Sequence, residues 1–425
     1  MPGVGGRVVV VGGGPGGVLL TYLLARGGVA VTLLEARHDF ARRFRGDTLA
    51  PGVLEYLDDL GLAEDLLAEI PYTRSEMFRW HTPTKTYDLV DYRGASRRFP
   101  FFALIPQARF LPWLAARAEA FGAEVRMGAR FSSLVRSGTG DGGADGGDGG
   151  GDGGRVVGVE YTVDAVTQRI DAALVVGSDG RSSKVRAAAG IAATELGASL
   201  DLLWFAVERH TDDPAYSGLD LFARPGGTIA LLDQGAGEWQ VGWSIPAGTF
   251  ASVREAGVGP LVDAVASMLP WLAPRLRTAL TSVNDLTLLP VRITTVDAWA
   301  RPGVVLLGDA AHVVSPVGGN GINLALADAA ELANQLVAPL RDGARPEEVD
   351  AAAARLETVR RPAVEAEQRR QVRTEQAAAK RNASGVVGPP TALRVLSAIP
   401  GFSRLAGRRV GVRVPAPVPA IARAG

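Results

Sequence analysis

Val8-Val9-Val10-Val11-Gly12-Gly13-Gly14-Pro15-Gly16-Gly17 is the stretch that decides the fold. The apolar run ending at Val11 is too short for a helix and reads as a buried parallel strand. The glycines that follow fit G-x-G-x-x-G, and Val18 to Arg26 reads as a helix. Gly12 permits the tight turn, Gly14 lets a diphosphate approach the backbone, and Gly17 lets helix and strand pack closely. Pro15 and Gly16 complete the turn. Unpaired amides and the positive end of the helix dipole there favour an anion. Val29 to Leu34 reads as a second strand. Glu35 closes it about 20 residues after the glycines, where an acid binds ribose hydroxyls. This is a βαβ dinucleotide unit, and by itself it does not separate a flavin from a nicotinamide dinucleotide.

The chain has 425 residues, enough for two or three domains at roughly 150 residues each. Hydrophobic residues make up 47% and charged residues 21%, a globular balance. Formal net charge is zero, which disfavours a nucleic-acid partner. There is no cysteine, so disulfides, thiolate metal sites and redox dithiols are excluded and any electron carrier is borrowed. The four histidines, His38, His81, His210 and His312, show no metal spacing. No apolar run approaches the ~20 residues of a membrane span. Glycines interrupt the one near the N-terminus, so a cytoplasmic chain without a signal peptide is expected.

Further along, Val53 to Ile70 carries leucines at helical spacing, and Arg74 to His81 turns to strand alternation. Phe110 to Phe121 reads helical. Gly138 to Gly154 is almost pure Gly and Asp and reads as a loop between two strands that cannot bury a core. Leu174 to Val176 and Val304 to Leu307 read as buried strands. Leu202 to Glu208, Thr228 to Leu232 and Trp239 to Ile245 are β-rich. Leu261 to Leu280 reads helical with breaks at Pro270 and Pro274. Helices are expected from Gly321 to Leu340 and Pro346 to Arg381, and a tail after Gly388 that packs one short helix and then frays.

Two later segments give the chain a resemblance. Asp179-Gly180-Arg181-Ser182-Ser183-Lys184-Val185-Arg186 and Gly308-Asp309-Ala310-Ala311-His312 are similar to the D-G and G-D motifs of the class A flavoprotein monooxygenases, whose fold is that of para-hydroxybenzoate hydroxylase. Pro316-Val317-Gly318-Gly319-Asn320-Gly321-Ile322-Asn323 then leads into a helix. The resemblance spans about Val8 to Leu336. It implies an α/β fold with a Rossmann-like FAD-binding domain of the glutathione reductase type, interrupted by a mostly antiparallel β-sheet substrate domain, with C-terminal helices. The expected divisions are 1–72, 102–192 and 285–385 for FAD, 73–101 and 193–284 for substrate, and 386–425 for a helical tail.

The resemblance also implies roles. Asp179 and Arg186 support the dinucleotide, Asp309 accepts from the ribityl chain, and the amides of Gly319, Gly321, Ile322 and Asn323 face the flavin ring. Arg45 and Gln107 sit where the family places cofactor contacts, and Ala36, Arg37 and Leu134 complete that set. NADPH or NADH reduces the FAD, molecular oxygen is activated, and an aromatic or polycyclic small molecule is hydroxylated or epoxidised by a monomer or homodimer. Pro316 and Gly318 mark where substrate meets flavin. Met77, Trp204, Trp239 and Trp243 are candidate substrate walls, and Arg79 a candidate anchor for a phenolate or carboxylate. Alternation sets Trp239, Val241, Trp243 and Ile245 on one strand face, which a packed core also explains.

The alternatives are a flavin dehydrogenase or oxidase without oxygen insertion, a flavin-binding scaffold, and a halogenase. The halogenase W-x-W-x-I-P segment is broken here, since Trp239 and Trp243 stand four apart, and Lys85 is the one lysine placed to relay halide. Val176-Gly177-Ser178-Asp179-Gly180 lacks the first glycine of a nucleophile elbow, so a hydrolase is unsupported.

Overall fold

The computed structural model describes residues 6–41, 48–138, 154–197, 200–216, 218–224, 227–233, 235, 237–316 and 319–422, without side chains at 382 and 383. Arg45, Gly318 and nearly all of the Gly/Asp-rich stretch lie outside the described residues.

Six strands form the first sheet, in the order Ala300–Arg301, Val304–Leu306, Leu174–Gly177, Val8–Val11, Val31–Glu35, Glu124–Met127. Every pairing is parallel except that of the edge strand Ala300–Arg301. Consecutive valines are buried in Val8–Val11 because both faces of the sheet are covered. Helices Pro15–Arg26, Gln107–Ala120 and Asn320–Arg341 pack together over it. A three-stranded antiparallel sheet, Arg130–Arg136, Val156–Val163 and Val166–Asp171, lies alongside Leu174–Gly177. The leucine-rich stretch after residue 50 is two helices, Pro51–Asp59 and Ala63–Glu69, divided where Gly61 takes a φ of +76°.

The second sheet has seven strands, in the order Thr287–Pro290, Leu200–Glu208, Glu238–Pro246, Gly227–Asp233, Leu219–Arg224, Met77–His81, Thr86–Asp91. It is antiparallel except where Leu219–Arg224 meets Met77–His81. Thr287–Pro290 belongs here, although the sequence boundary at 285 assigned it to the first domain. Helices Phe250–Ala256, Gly259–Met268 and Ala273–Ala279 cover one face. The breaks expected at Pro270 and Pro274 become a 3-10 turn, Pro270–Leu272, and the start of the last of these helices.

The tail does not fray as expected. Helices Thr391–Leu396 and Phe402–Gly407 lead it back to the first domain. Ile421 is fully buried in the main core beside Gly27 and Val337. Arg26 donates to the Ala422 carbonyl at 2.8 Å, and Asn334 bonds the backbone of Ala416 and Val418. Paired backbone and apolar burial, invisible to local composition, hold it down.

Candidate flavin site and substrate face

The glycine turn stands at the carboxyl end of Val8–Val11, between strands Val31–Glu35 and Leu174–Gly177. That is the switch point of an open α/β sheet, where ligands bind. Gly12 has a φ of +105°, and a Cβ there would lie 2.4 Å from the Ser178 carbonyl oxygen. A Cβ on Gly17 would lie 2.2 Å from the Gly12 carbonyl oxygen, and one on Gly16 would strike Leu307 and Ala325. Gly14 is the N-cap without a side-chain cap and Pro15 the first helical residue, so the first amides have no intrahelical acceptor.

Glu35 is buried, and its carboxylate accepts from the Gly13 amide at 2.8 Å and the Arg37 amide at 2.9 Å. It thereby fixes the glycine turn. Ala36 and the Arg37 side chain are exposed just beyond the strand. Gln107 is buried at the start of its helix, and Leu134 pairs with Val159 in the three-stranded sheet.

Asp179 and Arg186 make bonds within the protein that the motif did not suggest. The Asp179 carboxylate accepts from the Ser183 hydroxyl and from the amides of Lys184 at 2.7 Å and Val185 at 3.1 Å. It holds the amino end of helix Lys184–Ala188. The Arg186 guanidinium donates to the carbonyls of Ala310 and Arg181, each at 3.0 Å. It fastens the second motif to the third. Arg181 adds to this, donating to Asp309 at 3.3 Å and to the Pro290 carbonyl at 3.1 Å. The Asp309 side chain remains 32% exposed, open enough to meet a cofactor as well.

The third motif bends at Gly308, φ +58°, and at Gly319, φ +66°. A Cβ on Gly319 would lie 2.4 Å from the Thr48 hydroxyl. Asn323 is fully buried, accepts from the Ala50 amide at 2.8 Å, and donates to the carbonyls of Thr48 at 2.9 Å and Gly319 at 3.0 Å. Asn323 therefore sews strand Thr48–Leu49 to the amino end of the 22-residue helix Asn320–Arg341. The amides of Gly321 and Ile322 stand in its first turn, where negative charge is stabilised. The Pro316 carbonyl accepts from the Gly319 amide at 3.1 Å.

The sequence missed what braces this loop. His312 meets Asp328 at 2.6 Å, and Arg360 donates to the same buried carboxylate at 2.8 Å. Burial alone would raise the Asp328 pKa, but the His312 and Arg360 charges and hydrogen bonds hold it below its ordinary value. From helix Pro346–Ala383, Gln371 accepts from the Ser315 amide, Gln368 donates to the Val313 carbonyl, and Glu367 accepts from Asn320.

The two faces of the second sheet separate the expected substrate residues. Leu203, Phe205, Val207, Trp239, Val241 and Ile245 pack on the covering helices, with Trp243 against the same cluster. Trp239 and Trp243 are thus core residues on the outer face, not substrate walls. Arg79 forms a cross-strand pair with Asp88 at 3.0 Å. By alternation Met77 shares its side of the strand. Trp204 lies on the inner face, as does Trp80, which sequence reading did not single out. Phe78, Val90 and Leu219, also inner, pack against Ala50, Tyr92 and Phe102 of the first domain. Lys85 sits in the exposed Thr82–Thr86 turn, its ammonium 5.0 Å from the Tyr87 ring.

A nucleotide-binding sheet with three convergent motifs at its carboxyl edge, facing a second sheet, defines a flavoprotein. Open helix amides and glycines that no side chain could replace fit FAD. The chain belongs to the FAD binding domain family, whose model matches residues 6–367. It is 32% identical over 368 residues to 6-methylpretetramide 4-monooxygenase of Streptomyces rimosus, covering 86% of this chain and 82% of that one. It is 27% identical to the 12-dehydrotetracycline 5-monooxygenase/anhydrotetracycline 6-monooxygenase of Streptomyces rimosus subsp. rimosus, covering 81% of this chain and 65% of that protein. The fold matches Pseudomonas aeruginosa PqsL, solved with 2-aminobenzoylacetate, at a TM-score of 0.71 and 20% identity, covering 89% and 98% of the two chains. The chain is accordingly an FAD-dependent monooxygenase by family. Among the described residues no helix is long and apolar enough to cross a membrane.

Proposed function

We propose that this protein uses NADPH or NADH and molecular oxygen to hydroxylate a polycyclic aromatic small molecule held between the inner face of the second sheet and its FAD. Bound FAD supplies the electron transfer and oxygen activation; the chain supplies position, dryness and fixed charge. The glycine turn and Pro15–Arg26 hold the diphosphate, and Asp309 takes the ribityl hydroxyls. The amino end of Asn320–Arg341 steadies negative charge on the reduced ring. Asn323 keeps those amides in place by locking Thr48, Ala50 and Gly319 together. Pro316 lies beside them at the substrate side. The observation that carries the reading is the joining of the three motifs: Ser178 beside the second motif donates to the Gly12 carbonyl of the first, and Arg181 and Arg186 of the second donate to Asp309 and Ala310 of the third.

The test is purification followed by FAD quantification and NADPH and NADH oxidation under air, with a panel of phenols and polycyclic phenols. The expected result is stoichiometric FAD and nicotinamide oxidation stimulated by polycyclic phenols. Absence of FAD contradicts the reading. Oxidation of substrate under nitrogen without nicotinamide would make the protein a dehydrogenase. Asp309→Ala is expected to lower FAD retention at least tenfold; unchanged FAD content removes Asp309 from the site.

A further inference from the structure

The charge of this chain is unevenly placed. Residues 376–425 hold eight lysines and arginines and no acid. The rest of the chain therefore holds 37 cations against 45 acids, so a net charge of zero hides a stretch of +8 beside a body of −8.

The stretch is fixed to the second sheet at two points. A Cβ on Gly388 would lie 2.8 Å from the Thr82 Cγ2, and one on Gly407 would lie 1.9 Å from the Asp91 carbonyl oxygen. Thr82 opens the turn before the edge strand Thr86–Asp91, and Asp91 ends that strand. Between the two points run helices Thr391–Leu396 and Phe402–Gly407, and the second packs on the edge strand. Covering a sheet edge accounts for the inward side of this segment.

It does not account for the outward side. Val395 is 62% exposed, Ile399 52% and Leu405 50%. Residues 386–405 carry five of the nine large hydrophobic side chains exposed among the described residues, and all five are aliphatic. Arg408 and Arg409 continue the turn past Leu405 at spacings of three and four, which sets them beside it. Arg404, Arg408, Arg409 and Arg413 are exposed, and none forms an ion pair among the described residues. Arg394 differs, donating inward to the carbonyls of Val387 and Pro389.

Aliphatic tips among unpaired arginines, with no acid in the same fifty residues, fit the headgroup boundary of an anionic bilayer. A protein interface centres instead on aromatic anchors, which the exposed tips lack. No helix among the described residues is long and apolar enough to cross a membrane, so the contact is with the surface. We propose that residues 386–413 dock this protein on an anionic lipid surface. Val395, Ile399 and Leu405 enter the headgroup boundary, and the four exposed arginines meet lipid phosphates. The proposal does not rest on the substrate reading.

The test is flotation of the full FAD-loaded protein with vesicles of phosphatidylcholine, or of equal parts phosphatidylcholine and phosphatidylglycerol. Binding is expected to the mixed vesicles alone, and it should fall as salt rises. Arg408→Gln and Arg409→Gln are each expected to weaken it about fivefold. The triple variant Val395→Ser, Ile399→Ser, Leu405→Ser is expected to weaken it roughly tenfold or more. Val359→Ser, at an aliphatic 50% exposed on the long helix, should change nothing. Nicotinamide oxidation without vesicles should match the parent in every variant, which shows the fold intact. No binding to mixed vesicles, equal binding to both kinds, or binding that survives the triple variant overturns the proposal. So does self-association in sedimentation velocity that the same variants abolish while vesicles are ignored, which would make the patch a seat for a second copy. Tighter binding to soluble polyglutamate than to mixed vesicles also overturns it, and points to an acidic protein.

Discussion

The two faces of the seven-stranded sheet carry the same residue type in opposite states. On the outer face Trp239 is 1% exposed and donates to Asp213 at 2.7 Å, and Asp213 also takes Arg275. On the inner face Trp80 and Trp204 keep buried N–H groups that nothing among the described residues accepts from. The outer face is closed by three helices and complete in itself. The inner face instead packs Phe78, Val90 and Leu219 against Ala50, Tyr92 and Phe102 of the first domain.

That contrast can be broken most sharply by truncation. Trp239→Ala should cost about 3–5 kcal/mol of unfolding free energy, the usual range for a buried aromatic. Trp204→Ala should cost less than half of that in urea denaturation. Equal losses would make the inner face a core as well.

Asp213 gives a second, smaller test. Burial opposes its ionisation, but hydrogen bonds from Arg275 and Trp239 and the Arg275 charge bring its pKa down to about 2. Its ordinary value is near 3.9. A depressed folded-state pKa contributes stability that is complete above about pH 4 and lost as pH falls towards about 2. Asp213→Asn should cost about 2 kcal/mol at neutral pH by leaving donors poorly matched. Its gap from the parent should shrink between those pH values, followed by circular dichroism; a constant gap would contradict the paired carboxylate.

The smallest effect is expected from Trp204→Phe. Losing an unpaired donor offsets part of the lost contact, so stability should stay within about 1 kcal/mol of the parent. The corresponding Trp239→Phe should lose more, because it removes a buried hydrogen bond to Asp213.

Much of this was legible in the sequence. Glycine spacing between a strand and a helix placed the nucleotide turn, and strand alternation grouped Trp239, Val241, Trp243 and Ile245 correctly. A period of two says which side chains share a face but not which face meets the flavin. That depends on helices 250–279 settling on one side. Trp80 was passed over for Met77 and Arg79, which lie on the other side of the same strand. Asp179 and Arg186 were found by motif, but their bonds to Lys184, Val185 and Ala310 are matters of geometry. The His312–Asp328–Arg360 brace joins residues up to 48 positions apart, from 312 to 360, beyond any local pattern.

The most direct measurement is product mass after turnover under ¹⁸O₂ with FAD-loaded protein, a nicotinamide nucleotide and a polycyclic phenol. One ¹⁸O atom per product molecule is the expected result. A product without label, or one formed equally well in the absence of oxygen, would contradict the monooxygenase account.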